Sequence, residues 1–338
     1  MKNRIDSIDI AKGIAIIFVV LGHSIQSFGN EEMNLLNKVI YSFHMPLFFV
    51  LTGVTFKYDL SFDKFTKKKI KSLIKPYFTY ATVTFVYKML LGIIKGENIL
   101  YEIKDGVLGT VFLSSESYFY NLWFLPCLFT VCIIAYFVFG KTKNNIIRGG
   151  VCIVASALAL LVQVKFNLAL PLCFEVACVA LSWLFLGNLI KQIFMRKKTT
   201  LYIGMGIVSM IILSVTNIVS YYVFDYQMSD SYRQLIFPNI VFSVITGISG
   251  TIMVLCIGTL IHKNRILEYI GRDSCSVYGL HFLFLGLLGK MIEKVDVLLE
   301  TPLAAVFLGT ALNIVLVLGL KKIFQIVRNW LYIKITKE

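Results

Sequence analysis

The stretch DIAKGIAIIFVVLGHSIQSF, residues 9–28, is long and apolar enough to cross a hydrocarbon core as a helix, yet it holds Lys12 and His23. No small-residue cleavage site follows it, so it is expected to be a retained first span and not a removed leader. Blocks of similar length recur along the chain. Its 338 residues are 57% hydrophobic and 15% charged. With a mean hydropathy of +0.78, this composition excludes an ordinary soluble protein. Apolar windows and their flanks predict about ten helices, at 9–28, 38–56, 76–94, 122–139, 149–165, 171–190, 201–223, 240–261, 274–291 and 303–324. The fold class expected is all-α, a polytopic integral membrane protein. Residues 1–338 are expected to form a single membrane-embedded domain with no separate soluble domain.

An even number of spans puts both termini on one side, and the basic residues say which. Of 33 Lys and Arg, about 25 fall in the termini and in the segments 57–75, 140–148, 191–200 and 262–273; about seven fall in the alternate loops. The expectation is that both termini are cytoplasmic. The same bias accounts for the net charge of +14 without a nucleic-acid partner. The segment KYDLSFDKFTKKKIKSLIK, 57–75, exceeds that background with seven lysines before a Pro-Tyr that opens the third span. An amphipathic segment lying on anionic lipid and a site for a polyanionic cytosolic ligand both stay open for it. The longest loop on the other side, 95–121, is rich in aromatics and has the length of a functional connection or a short interfacial helix.

Ionisable groups inside spans carry most of the functional information. Lys12 and His23 are 11 residues apart, three helical turns, and so share a face at ~16 Å separation; Asp9, Val19 and Gln26 fall near the same stripe. The second span brings His44, just before Pro46, to a similar depth from the other direction. Two imidazoles at one level of antiparallel neighbours suggest a polar pocket. His281 lies two turns into the ninth span after a Gly-Arg-Asp-Ser start that offers Asp273 or Ser274 as N-cap, with Tyr278 one turn before it. Glu175 is the clear acid within a span, and Trp123 with Pro126 opens the fourth. No HxxxH or HxxE spacing supports a metal. The seven cysteines lie in apolar segments without a CxxC pair and read as small buried hydrophobes.

Several strings, taken in order, resemble the acyltransferase-3 family of integral-membrane O-acyltransferases, most closely its fucose 4-O-acetylase-like branch. RIDSIDIAKGIAIIFVVLGHS (4–24) carries the family's basic residue, ten intervening positions and histidine, as Lys12 and His23. YSFHMPLFFVLTG (41–53), KKKIKSLIKPY (67–77), NLWFLPCLF (121–129) and YIGRDSCSVYGLH (269–281) are similar to later landmarks, and the likeness covers nearly the whole chain. In place of the family's frequent Arg-x-x-Arg before the third span stand Lys68 and Lys71, or Lys69 with Ser72. Lysine keeps the charge and loses the bidentate fork toward phosphate.

The resemblance implies transfer of an acyl group, most often acetyl, from acyl-CoA to a hydroxyl of a sugar or of a lipid-linked or cell-surface glycan. Its setting would be a multi-pass protein of the plasma or inner membrane. His23 would be general base or acyl relay, with Lys12 beside it in catalysis and Lys68, Lys69 and Lys71 on the coenzyme phosphates. His44, Asn121, Trp123, Tyr278 and His281 would contact the acceptor. Acetyl-CoA would be a donor substrate and not a resident cofactor; membrane lipid is a further partner, and homo-oligomerisation stays open. The rival reading is a transporter or flippase for a polyanionic or lipid-linked sugar, with Lys12, His23 and Glu175 along its pathway. A catalytically silent interaction subunit is a third. Transporters often show internal repeats and helices broken near the midplane.

Overall fold

The computed structural model describes residues 6–96, 103–104, 106, 113, 120–194, 199–225 and 229–335. Most of the 95–121 connection, read as a functional connection or a short interfacial helix, lies outside them. Among the described residues nine helices are long and apolar enough to cross a membrane, and a tenth crossing is made if one bent pair counts as a single span. Regular backbone is helical, as it must be where no water is present to satisfy peptide groups.

Helix α1 (Asp6–Phe28) is the axis of the bundle. It packs against α2 (Asn34–Val54), α9 (Ile240–Leu260), α10 (Arg265–Arg272), α11 (Ser274–Leu280), α12 (Phe282–Ile292) and α14 (Pro302–Ile335). Helix α2 packs in turn on α7 (Phe174–Phe194), α8 (Thr199–Ile218) and α9. At the periphery, α6 (Asn145–Phe166) turns Ile146, Ile153, Leu161 and Val164 outward. Lipid is as apolar as leucine, so association of such helices rests on close packing and small polar residues. Accordingly Ser42, Asn217, Thr246, Ser249, Thr251 and Asn313 are buried inside while large aliphatics face out. The closest approach is between α1 and α10. A Cβ at Gly271 would stand 1.8 Å from the Asp9 carbonyl oxygen, and one at Gly13 would stand 2.3 Å from that of Leu267.

The basic segment before the third span is not a loop. Helix α3 (Phe62–Lys69) runs through a π-turn, Ile70–Ile74, directly into α4 (Lys75–Lys95). Pro76 lacks the N–H that would bond back to Ser72, and the widened turn absorbs the lost bond without ending the helix. The ninth span differs too: α11 and α12 meet at His281 with a bend of 62°. The His281 carbonyl at the bend accepts both the Phe284 N–H at 3.2 Å and Asn313 Nδ2 at 3.0 Å, and Asn313 is wholly buried. Asp273 makes no side-chain cap at the start of α11; its carboxylate is instead in contact with the Lys321 ammonium of α14. Asparagine does the capping elsewhere, with Asn144, Asn239 and Asn264 each accepting two backbone N–H groups at the starts of α6, α9 and α10. Helix α5 is Phe124–Lys141, and α13 is the short Asp296–Glu300.

Five cysteines, Cys127, Cys132, Cys152, Cys173 and Cys256, are buried, and all seven are free, in line with their reading as small hydrophobes. Glu175 stands in the first turn of α7, buried, where its carboxylate accepts the Leu170 N–H at 3.1 Å. It therefore secures the turn that enters the helix.

Candidate active site

Two cavities meet in the middle of the bundle. The first, about 210 Å³, has a polar mouth made by Asp9, Lys12, Ser72, Arg272 and Ser274, and a throat of apolar side chains that includes Phe48, Leu51, Leu125 and Leu128. The second, about 330 Å³, is walled by His23, Gln26, Tyr41, His44, Asn121, Trp123 and the segment Ser229–Arg233. Val19, Met45 and Tyr278 line both. Helix α1 thus delivers Lys12 to one cavity and His23 to the other, as the three-turn spacing requires.

The charged mouth follows from the close crossing described above. Gly13 and Gly271 bring the backbones of α1 and α10 together, which sets their chain neighbours Lys12 and Arg272 on the same cavity. The lysines of the basic segment are placed differently. Lys68 and Lys71 are exposed and line neither cavity. Lys69 is half-buried, its ammonium 5.7 Å from the Phe56 ring centroid and 5.4 Å from that of Phe65. Ser72 and Leu73, within the π-turn, are the residues of this helix that reach the cavity.

In the second cavity the imidazoles lie among aromatic rings. The centroid of His23 is 5.2 Å from that of His281, 4.7 Å from Phe282 and 5.9 Å from Tyr41. His44 stacks edge-on to Tyr41 at 4.7 Å. His44 Nδ1 is 2.9 Å from the Ile40 carbonyl, and His281 Nδ1 is 3.1 Å and 2.8 Å from those of Val277 and Tyr278. Carbonyls only accept, so each of these rings carries its proton on Nδ1. His281 Nε2 is then a buried lone pair with no hydrogen-bond partner. Trp123 is nearly buried at the start of α5. Tyr278 fixes that start from across the bundle, its hydroxyl accepting the Phe124 N–H at 3.1 Å.

The segment after α8 closes one side of this cavity. Ser231 and Ile236 exchange backbone hydrogen bonds of 2.9 and 3.0 Å, holding Asp230, Tyr232 and Arg233 against the site. Burial pushes the Asp230 carboxyl up to about 6, while the Ser243 hydroxyl, donating at 2.9 Å, and the Lys38 ammonium pull it down.

Among the cavity residues that sequence reading gave no role are Tyr41, Gln26, Arg272, Asp230 and Arg233. Tyr41 sits three residues before His44, and Gln26 three after His23, so helical spacing was the available signal. The arginines had none, because each is one basic residue in a loop of a strongly basic chain. Among the described residues no group of three or more His, Cys, Asp or Glu is arranged to hold a metal ion.

Two cavities that share three wall residues, one lined by Lys12 and Arg272 and one rich in imidazole and hydroxyl, thus adjoin within the bundle. No curated protein and no solved structure matches the chain. The profile of the acyltransferase-3 family, an acyltransferase domain, matches residues 5–322, and this chain, a multi-pass membrane acyltransferase, belongs to that family.

Proposed function

We propose that the protein is an O-acyltransferase that takes an acyl group, acetyl in the simplest case, from cytosolic acyl-CoA and places it on a hydroxyl of a sugar or glycan. The observation that carries this reading is the pair of cavities sharing Val19, Met45 and Tyr278. Their chemistry matches the two halves of the reaction. A coenzyme has anionic phosphates followed by a long arm, and the first cavity has Lys12 and Arg272 at its mouth and an apolar throat behind them. Lys68 lies one turn before Ser72 and, with Lys71, extends the basic surface beyond that mouth. The ~16 Å between Lys12 and His23 is comparable to the reach of a pantetheine arm.

The second cavity offers what a sugar needs, an aromatic face in Trp123 and hydrogen-bonding groups in Asn121, Ser229 and Arg233. In the reaction the acceptor oxygen attacks the thioester carbonyl carbon while its proton passes to the His23 imidazole. The carbon–sulfur bond then breaks, and the coenzyme thiolate leaves with that proton. An alcohol is a weak nucleophile near neutrality until a base within hydrogen-bond reach accepts its proton. The Lys-rich side faces the cytosol in this reading, and the histidine cavity opens toward the opposite face, so a cytosolic donor serves an extracytoplasmic glycan of the cell envelope.

The test uses purified protein in nanodiscs with radiolabelled acetyl-CoA, comparing wild type with His23→Ala and following label on protein, on glycan and as free acetate. Transfer or slow hydrolysis that vanishes in the variant supports the reading. Absence of binding and turnover with every short acyl-CoA overturns it in favour of transport.

A further inference from the structure

We infer that Tyr41 and Gln26 form a hydrogen-bond relay that holds His23 with its proton on Nδ1 and so presents an unprotonated Nε2 to the acceptor hydroxyl. Both are positioning residues, acting through His23, and the catalytic part of the inference rests on the function proposed above.

The geometry is a chain of three groups. Tyr41 Oη lies 2.8 Å from Gln26 Oε1 and 3.0 Å from His23 Nδ1. An amide oxygen only accepts, so the single phenolic proton of Tyr41 points at Gln26. The Tyr41 oxygen is then left with lone pairs alone toward His23, and only a protonated Nδ1 satisfies that contact. The reverse arrangement, Tyr41 donating to Nδ1, would require the Gln26 amide to turn over and present its NH2 to the phenol in place of its oxygen. Neutral imidazole has one proton, and with Nδ1 holding it the free lone pair is on Nε2.

The relay depends on how α1 and α2 cross. A Cβ at Gly22 would stand 2.9 Å from Tyr41 Cε2, so the tyrosine ring lies directly on the helix that carries His23. The His23 and Tyr41 rings are perpendicular, at 88°, which aims the phenol oxygen at the edge of the imidazole. His44 and His281 reach the same tautomer by another route, through backbone carbonyls that cannot reverse. His23 alone depends on side chains, and its chain ends at Gln26, which is exposed. When Nε2 takes the acceptor's proton, the Nδ1–H···Oη–H···Oε1 chain polarises toward the amide oxygen and spreads the new charge. This is the general pattern of a base oriented by a third group.

Two measurements test it. The first is ¹⁵N NMR of histidine-labelled protein in nanodiscs, with the His23 signals identified by their loss in His23→Asn. His23 is expected as the Nδ1–H tautomer in wild type and in Gln26→Glu, whose carboxylate can only accept. A mixture, or the Nε2–H form, is expected in Tyr41→Phe and in the donor-only Gln26→Lys. The second is steady-state acyl transfer. Tyr41→Phe and Gln26→Lys are expected to lower kcat roughly 10- to 100-fold with little change in KM for the donor, while Gln26→Glu stays within about threefold of wild type. A wild-type His23 protonated on Nε2, or a Gln26→Lys that keeps activity while Gln26→Glu loses it, overturns the relay. If the Nδ1–H tautomer is found and the wild type transfers no acyl group, the relay stands and the acyltransfer role of His23 falls.

Discussion

Replacing Gly271 by alanine should part the two helices that shape the mouth of the basic cavity. The new Cβ would stand 1.8 Å from the Asp9 carbonyl oxygen and 2.8 Å from both the Asp9 carbonyl carbon and the Gly13 nitrogen. Since Cβ contacts below 3.0 Å essentially never occur, α10 has to move at least 1.2 Å, the difference between 3.0 and 1.8 Å. Nothing local absorbs this, because the obstacle is the backbone of α1, the most central helix. Overpacking of this kind costs ~1–3 kcal/mol, and a rigid obstacle puts Gly271→Ala near ~3 kcal/mol. Arg272 moves with its neighbour, and displacements of ~1 Å at a binding site cost on the order of 10²-fold in turnover. Unfolding in mild detergent reads the first effect, and KM for acetyl-CoA against kcat reads the second. Gly204→Ala is the control: no atom lies within 4 Å of its Cβ position, so it should be neutral or stabilising by up to ~1 kcal/mol. If Gly271→Ala proves as stable as Gly204→Ala, the close crossing of α1 and α10 is refuted.

Asn313→Leu should cost ~0.5–1.5 kcal/mol in thermal unfolding, because it removes a buried donor from the His281 carbonyl and leaves it the 3.2 Å bond from the Phe284 N–H; Asn313→Gln, which can still donate, should cost less. Lys321→Met should destabilise by ~1–3 kcal/mol, since it leaves the Asp273 carboxylate without its partner, and Asp273→Asn in the same chain should restore most of the loss; failure of the pair to couple would separate the two groups. The Asp230 carboxyl titrates near 6 in the folded chain against 3.8 ordinarily, so the folded state binds its proton more tightly. That stabilisation is complete below the lower value and is lost as pH rises to the upper one, a total of roughly 3 kcal/mol. Melting temperatures between pH 4 and 7 should show the slope in wild type and not in Asp230→Asn.

The membrane-spanning architecture was legible because a helix in lipid must be long and apolar, and these constraints act on composition alone. Lys12 and His23 were legible for the same reason, as ionisable groups stand out against such a background. What could not be read were features set by contacts between helices. Pro76 looks like the start of a span, and it is the π-turn that lets the helix continue from Phe62 through it. The bend at His281 has no proline to announce it, and the second bond to its carbonyl comes from Asn313, 32 residues away. Asp273 has the sequence of an N-cap and the structure of an ion-pair partner because α14 places Lys321 beside it. In the basic segment the lysines are conspicuous by number, but Ser72 and Leu73 reach the cavity. Arg272 gets there through the glycine contact of its neighbour.

The break between α11 and α12 also shapes the electric field of the bundle. An unbroken span would bury its peptide dipoles in mutual hydrogen bonds along its whole length. Here the Tyr278 carbonyl near the end of α11 accepts from the His281 ring, and the Val277 carbonyl is shared between the His281 N–H and that ring, whose centroid is 5.2 Å from that of His23. The end of a helix carries a partial negative charge, so α11 adds a backbone contribution to the field at the imidazoles, separate from the Asp230 carboxylate that lines the same cavity. A formal anion at that depth would be costly to bury and would titrate; aligned peptide groups do neither. A cation arriving on His23 would meet a field that is part of the backbone, independent of pH and beyond the reach of any side-chain substitution that leaves the bend in place.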